Sequence, residues 1–357
     1  MKTINITLEP ECYDLSLTFK PSFVSSTYKR VKKNVWKKFD SQMFRGFTVK
    51  QEKTHVFIKG NVSIDREWIE DLIFAETGLW HAPFEYEIHR VSKKFRWVLE
   101  ELSHLYPGVR IPVSLFERDK IFVAICLSKR TDYEVFVRSW MEKILKKYND
   151  NVLDLIYVSK EDLFEIGTSY QILNLVDTLK SVTMLHKGLK DLPTYIKEHL
   201  QGQEHISDPF KFLSIAIPPQ VARIILISKV KGIGPKTADS YLLNTSFHTD
   251  ITPVDTHLKT VITRLKLFSE VIKAPQSSLC SKYTCTKDVS RKLRVPLCPI
   301  SNNCIRAKVL GLGKLAGWFQ TLTYLFGREY CRKNKPRCNT CPFKKDCNYF
   351  NLSRKIS

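Results

Sequence analysis

Residues 230–240, VKGIGPKTADS, decide the fold. Gly232 and Gly234 permit a tight turn, and Pro235 suits the first position of a helix, where its missing N–H costs nothing. The segment PQVARIILISKV before the turn and the segment PKTADSYLLN after it both have helical patterns. The stretch therefore predicts two helices joined by a glycine hairpin, whose free N–H groups form a cradle for phosphate. A turn of this kind can also merely join two helices.

Lys236 stands in the first turn of the second helix, where the positive end of the helix dipole disfavours a cation. Asp255 follows 19 residues later, in HTDITPVDTHLKTVITRL, as the predicted N-cap of an amphipathic helix. The apolar face of that helix would carry Leu258, Val261, Ile262 and Leu265. A partly desolvated amine at a helix N-terminus has a lowered pKa and can act as a nucleophile, while a fixed carboxylate can stabilise a developing cation. Lys236 could instead only bind phosphate, and Asp255 could only cap its helix.

The composition indicates a polyanionic partner. The 357 residues include 57 Lys and Arg against 36 Asp and Glu, which gives a net charge of +21. Such an excess is typical of proteins that bind nucleic acid, although a basic surface that serves solubility is the alternative. A hydrophobic content of 43% indicates a globular chain with room for two or three domains.

No apolar run reaches the roughly 18 residues of a membrane span, since Pro218, Pro219 and Arg223 interrupt the best candidate. The first residues, MKTINITLEPECYDL, lack the continuous apolar core of a secretory signal. We therefore expect an intracellular protein of the cytoplasm, nucleoid or nucleus, without a membrane partner. Clustered cysteines in an intracellular protein indicate metal binding more often than disulfide bonds.

The hydrophobic period changes along the chain. TINITL, YDLSLTF and THVFIKG alternate apolar and polar residues and predict antiparallel strands near the N-terminus. SKKFRWVLEELSHLY and RDKIFVAICL are helical, and a helix over YEVFVRSWMEKILKKY would begin at a capping box of Thr131 and Glu134. The chain should divide into a β-rich domain (1–88), a helical body (89–268), an irregular cysteine insertion (269–305) and a C-terminal helix with a cysteine loop (306–357).

Four cysteines near the C-terminus are spaced C-x6-C-x2-C-x5-C: Cys331, Cys338, Cys341 and Cys347. Four thiolates within 17 residues can close on one metal centre, either zinc or a cubane cluster, and disulfides are the remaining alternative. The loop also carries basic residues that would face a polyanion: Arg332, Lys333, Lys335, Arg337, Lys344 and Lys345.

A second set of four cysteines lies in the insertion: Cys280, Cys285, Cys298 and Cys304. Its spacing, C-x4-C-x12-C-x5-C, matches no family motif known to us. Because the segment has little apolar content, we expect a structural staple, with zinc preferred over two disulfides or unpaired thiols.

These motifs resemble the helix-hairpin-helix base-excision DNA glycosylases of the endonuclease III superfamily (HhH-GPD). The matching residues follow the pattern G-x-G-x-K-T/V-A and then Pro-Val-Asp-x-His: Gly232, Gly234, Lys236, Thr237, Ala238, Pro253, Val254, Asp255 and His257. The resemblance implies a mainly α fold, with a two-lobed helical body, a small N-terminal antiparallel β domain and a C-terminal 4Fe–4S loop held by the four late cysteines. The opening YDLSLTF is more similar to the 8-oxoguanine and alkyl-purine branches.

The resemblance implies that Lys236 attacks C1′ of a damaged nucleotide and that Asp255 stabilises the sugar cation and assists deprotonation. The predicted function is a base-excision-repair glycosylase with AP-lyase activity, acting as a monomer on duplex DNA with a damaged or mispaired base. Gly232 and Gly234 would bind the DNA backbone, and Arg130 would be a minor-groove wedge or a phosphate contact. The alternatives are a monofunctional glycosylase in which Asp255 activates water, and a non-catalytic damage-binding protein. The sequence does not identify the excised base.

Overall fold

The computed structural model describes residues 1–148, 151–203 and 205–356, with side chains through residue 352. Five antiparallel strands form one sheet in the order β1-β5-β4-β3-β2. The strands are β1 (Lys2–Leu8), β2 (Tyr28–Lys32), β3 (Val35–Lys38), β4 (Phe44–Glu52) and β5 (His55–Val62). Ile4, Val49 and Ile58 point from the sheet into the core, so alternation in sequence becomes one buried face.

The other regular elements of the described chain are helices. Up to the glycine hairpin the helices are α1 (Leu15–Phe19), α2 (Ile69–Thr77), α3 (Lys93–Leu105), α4 (Arg118–Leu127), α5 (Arg138–Lys147), α6 (Lys160–Ile166), α7 (Tyr170–Leu173), α8 (Leu175–Thr183), α9 (Leu185–Gly188), α10 (Thr194–Lys197), α11 (Pro209–Lys211) and α12 (Pro219–Lys229). After it come α13 (Pro235–Thr245), α14 (Thr256–Arg264), α15 (Ser277–Cys280), α16 (Lys287–Leu293), α17 (Ile305–Leu310), α18 (Leu315–Glu329) and α19 (Asn348–Ile356).

The predicted fold class is confirmed, because a helical body carries one small N-terminal antiparallel sheet. Buried residues of the sheet and of the helices form a continuous apolar core. The division of the chain at residues 88, 268 and 305 stays a prediction. Among the described residues, no helix is long and apolar enough to cross a membrane.

Two local predictions are wrong. YDLSLTF is not a strand but contains α1, because Asp14 accepts the N–H of Leu17 at 2.7 Å and Leu15 and Phe19 bury the same helical face. The capping box at Thr131 does not form. Asp132 is the cap instead, and its carboxylate accepts the N–H groups of Glu134 and Val135.

Candidate active site

The glycine hairpin joins α12 to α13 as predicted. Gly232 has φ +77°, a left-handed conformation that favours glycine, and a Cβ there would lie 3.4 Å from the Thr178 hydroxyl and the Lys129 ammonium. Gly234 is the N-cap of α13 and Pro235 is its first residue. The turn therefore places Lys236 in the first turn of α13, at the positive end of the helix dipole.

Lys236 lies half-buried at the wall of a large pocket. Its Nζ is 3.4 Å from Ser128 Oγ and 5.2 Å from the ring centroid of Phe23. Removal of the ammonium from water lowers the pKa of Lys236, and the positive charge of Lys129 lowers it further. The negative charge of Asp255 opposes this shift. The surroundings thus make the neutral amine, which is the nucleophilic form, more accessible than in an ordinary lysine.

Asp255 lies in the same pocket, held by both of its carboxylate oxygens. Oδ1 accepts the N–H of Leu258 at 2.7 Å and so caps α14, while Oδ2 accepts Nε2 of Gln320 at 3.2 Å. Burial raises the pKa of Asp255, and the Leu258 N–H and the nearby Lys236 counteract that rise. The predicted apolar face of α14 is buried as expected. The carboxylate therefore has a fixed position beside the amine, which is what stabilisation of a developing cation requires.

The pocket has a volume of about 780 Å³ and opens between the N-terminal domain and the helical body. Its lining includes the side chains of Ser22, Phe23, Ser128, Lys129, Arg130, Lys236, Ser240, Asn244, Asp255, His257, Gln320, Tyr324, Arg328 and Arg332. A volume of this size falls within the range of small-molecule sites and is large enough for one nucleobase and its sugar.

Sequence analysis missed Phe23 and Gln320, which contact the two predicted residues. Phe23 belongs to a short turn of the N-terminal domain, Phe23–Thr27, that is more than 200 residues from Lys236 in sequence. Gln320 is the residue with a polar amide in the mostly apolar stretch LAGWFQTLTYLF of α18. That interruption is a usable signal, because a polar side chain within a buried helix needs a partner.

Arg130 is exposed at the pocket rim with φ +55°, a rare backbone conformation for a residue with a side chain. Arg328 donates to Asp132 at 3.1 Å, and the Arg332 side chain donates to the backbone of Arg328 at 2.8 Å. Lys129, Arg130 and Arg332 therefore place positive charge around the mouth of the pocket.

The C-terminal cysteine loop packs against α14. Arg264, the last residue of α14, donates to Cys331 Sγ at 3.4 Å and to the backbone oxygens of Arg332 and Lys333 at 2.8 Å. Burial raises the pKa of Cys331 and of Cys341, the latter to about 11, and neighbouring thiolates of the loop add to both shifts. The four thiols are thus gathered in one region, and four thiolates suit an iron–sulfur cluster or zinc.

The cysteines of the insertion are all buried. Each is at most 8% exposed, although the surrounding segment contributes few apolar residues to the core. In the side-chain positions of the structure, no group of three or more His, Cys, Asp or Glu among the described residues is arranged to hold a metal ion. Metal binding at either set of cysteines therefore stays a prediction.

No protein-family model matches the chain. DNA glycosylase/AP lyase ROS1 of Arabidopsis thaliana is 27% identical over 184 residues, which cover 49% of this chain and 12% of ROS1. Endonuclease III of Sulfolobus acidocaldarius is 31% identical over 138 residues, which cover 39% of this chain and 49% of that enzyme. The chain therefore matches less than half the length of either relative.

Two solved structures share the fold over nearly the whole chain. The 8-oxoguanine glycosylase/lyase of Clostridium acetobutylicum, bound to double-stranded DNA with cytosine opposite 8-oxoguanine, has a TM-score of 0.57 at 16% identity and covers 91% of this chain and 98% of its own. MBOgg1, bound to a low-affinity DNA ligand, has a TM-score of 0.59 at 15% identity and covers 92% of this chain and 99% of its own. The sequence matches and the shared fold together support a member of the helix-hairpin-helix DNA glycosylase superfamily.

The predicted family is thereby confirmed. Phe23, the first residue of the turn Phe23–Thr27 in the N-terminal region, lines the pocket together with residues of the helical body. At 15–16% identity the solved structures establish the fold alone. The roles of Lys236, Asp255, Gly232, Gly234 and Arg130 remain predictions.

Proposed function

We propose that the protein is a DNA N-glycosylase with AP-lyase activity, which removes a damaged or mispaired base from duplex DNA in base-excision repair. The observation that carries this proposal is the placement of Lys236 and Asp255 in one pocket, where the amine has a lowered pKa and two hydrogen bonds hold the carboxylate. ROS1 and endonuclease III, which are similar to this chain over part of their lengths, support the same reaction class. A plain DNA clamp needs neither group.

In the proposed reaction the lone pair of Lys236 Nζ attacks C1′ of the flipped nucleotide. The N-glycosidic bond breaks, its electron pair leaves with the base, and the base takes up a proton. The Asp255 carboxylate stabilises the positive charge that develops on the sugar and assists the loss of a proton from the attacking nitrogen. The C1′–O4′ bond then breaks as the nitrogen lone pair forms a C=N bond, and O4′ takes up a proton. The product is a ring-opened Schiff base between Nζ and C1′.

The lyase step follows from the Schiff base. Removal of a proton from C2′ sends electrons toward the iminium nitrogen, and the bond between C3′ and the 3′-phosphate oxygen breaks. Hydrolysis then returns Lys236 as a free amine. In the alternative monofunctional reaction, Asp255 activates a water molecule that attacks C1′, and no covalent link to the protein forms.

The pocket supports flipping of one nucleotide out of the duplex. Its volume of about 780 Å³ accommodates a base, and Phe23 and Tyr324 supply aromatic faces on its lining. We propose that the backbone at Gly232 and Gly234 binds phosphate and that Arg130 contacts the duplex at the rim, as wedge or as phosphate ligand. Flipping distorts the duplex, so these contacts would hold the flanking strand while the base leaves the stack.

We also propose that Cys331, Cys338, Cys341 and Cys347 hold a 4Fe–4S cluster. When bound, the cluster would link the loop into one rigid unit, with all four irons ligated by thiolate and none open to substrate. The loop packs on Arg264 at the end of the helix that Asp255 caps, so its basic residues would be held beside the active site. Their task would be contact with the DNA backbone.

The proposal is tested by measuring base release and strand cleavage separately on duplexes with oxidised pyrimidines, 8-oxoguanine, uracil or a G:T mismatch. The wild-type protein should release at least one of these bases and cleave the strand. Asp255→Asn should slow base release by about 10²-fold while DNA binding survives, because a preorganised charge is lost. Base release without strand cleavage would favour the monofunctional reaction. DNA binding with neither base release nor strand cleavage would indicate that the hairpin only binds DNA and that the protein is not an enzyme.

A further inference from the structure

The cysteine insertion contacts a buried cluster of charged side chains behind the glycine hairpin. Asp239 lies three residues after Lys236 in α13 and is fully buried. It accepts Nε of Arg223 at 2.8 Å, and Nε and Nη2 of Arg306 at 2.9 and 2.8 Å. Two guanidiniums, each at most 1% exposed, therefore share one carboxylate.

This cluster has an excess of positive charge. Burial of an ionised group is unfavourable unless opposite charge and hydrogen bonds compensate it. Gln220 is neutral and accepts Arg306 at 3.4 Å, while Asp250 lies near Arg306 but is half-exposed and is held by His248. Within the described part of the chain, Nη2 of Arg223 has no hydrogen-bond partner. The cluster thus needs a further hydrogen-bond acceptor that carries negative charge.

One sulfur atom of the insertion lies against this cluster. Arg306 Nη1 donates to Cys285 Sγ at 2.9 Å. Cys280, Cys298 and Cys304 belong to the same short segment and are also buried, each at most 8% exposed.

Backbone hydrogen bonds within the insertion pair the segments that carry Cys285 and Cys298 and fix the segment that carries Cys304. Thr284 donates its N–H to Pro296 and accepts the N–H of Cys298, so the chain beside Cys285 pairs with the chain beside Cys298. Lys273 bonds to both sides of Cys304, where α17 begins. Apart from the cysteines, Leu293, Val295 and Ile305 are the residues with buried apolar side chains in the described insertion. So small an apolar core is typical of a segment ordered by a metal or by disulfides.

We propose that a zinc ion is held by the thiolates of four cysteines: Cys280, Cys285, Cys298 and Cys304. Arg306 and Arg223 balance the negative charge of this centre. Because both arginines also bind Asp239 of α13, the metal stabilises the position of the hairpin helix. Zinc with four thiolates has a net negative charge, and its sulfur atoms accept N–H bonds from neighbouring residues. In disulfides the sulfur atoms would carry no charge, so the carboxylate of Asp239 alone would have to balance two guanidiniums. The charge of the cluster therefore favours metal over the two-disulfide alternative.

The test is metal analysis of the full-length protein and matched cysteine variants. The wild-type protein should contain about one zinc per chain, and Cys298→Ser should lose it. Cys12→Ser, which changes an exposed cysteine of the N-terminal domain, should keep it. Cys338→Ser should also keep it, and this outcome separates the centre from the C-terminal loop.

Two measurements on the wild-type protein keep the proposal falsifiable if Cys298→Ser does not fold. Replacement of zinc by cobalt should give the absorption spectrum of a tetrahedral cobalt thiolate, and removal of the metal by a chelator should lower the melting temperature. Absence of zinc, with these four thiols unreactive to alkylation until they are reduced, would overturn the proposal in favour of disulfides. Zinc content unchanged by Cys298→Ser in folded protein would place the metal elsewhere.

Discussion

Lys236 occupies a position where protonation of an amine is unfavourable for three separate reasons. Burial removes water from the ammonium, Lys129 adds a like charge, and the first turn of α13 adds the positive end of a dipole. The hairpin residues predicted this position, because the glycines and proline fix where the helix begins. The partners of Lys236 could not be predicted, since Ser128 and Phe23 come from distant segments.

The first prediction concerns the pH dependence of base release. Because the neutral amine reacts and its pKa is lowered from the ordinary 10.5, the single-turnover rate should rise about tenfold per pH unit and level off below pH 10.5. Lys129→Gln removes a charge that lowers this pKa, so the midpoint should move to higher pH. Lys231→Gln, an exposed lysine paired with Asp177, is the matched control and should leave the midpoint in place. A midpoint that Lys129→Gln does not move would contradict the assignment.

At the scale of elements, the pattern predicted two of the strands and helices such as α3, α4, α12, α13 and α14, but not α1, α2 or the segments that complete the site. Asp255 was recognised as a cap because Asp before an amphipathic run is a local signal. The strand prediction for YDLSLTF is wrong because five alternating residues fit a strand as well as a short helix. The N-cap formed by Asp14 favours the helix. The contact of Gln320 with Asp255 depends on the packing of α18 on α14, which no local pattern encodes.

Gly327 allows α18 to pack closely against α14. A Cβ at Gly327 would lie 2.5 Å from Nδ1 and 2.7 Å from Cβ of His257, two residues after Asp255. Gly327→Ala should therefore push α14 away from α18, lower the free energy of unfolding by about 1–3 kcal/mol and slow base release. Gly188→Ala is the control, because its nearest neighbour would be a lysine side-chain carbon at 3.7 Å. Equal melting temperatures and rates for both variants would show that the close approach has no consequence.

The C-terminal cysteine loop gives a prediction at the same scale. The purified protein should be brown and contain about four irons per chain, and Cys338→Ser should lower the iron content and weaken DNA binding. Cys12→Ser should change neither property, since that thiol lies in the N-terminal domain. A colourless wild-type protein with one zinc in this loop would show that the cluster assignment is wrong.

The whole molecule carries a net charge of +21, and part of that charge surrounds the pocket mouth. Binding to undamaged duplex should release counterions, and if about six phosphates are neutralised the slope of log K against log salt should be about −5. Binding titrations between about 50 and 200 mM salt measure this slope. A slope near zero would mean that the basic residues serve another purpose.

Covalent capture of DNA on Lys236 tests the central claim most directly. The protein is incubated with a duplex containing an abasic site in the presence of borohydride, which reduces a Schiff base to a stable amine, and the linked peptide is located by mass spectrometry. We predict a trapped complex with the DNA attached at Lys236, no trapping by Lys236→Gln despite retained binding, and normal trapping by Lys231→Gln. No trapped complex with the wild-type protein, or attachment at a different lysine, would contradict the account.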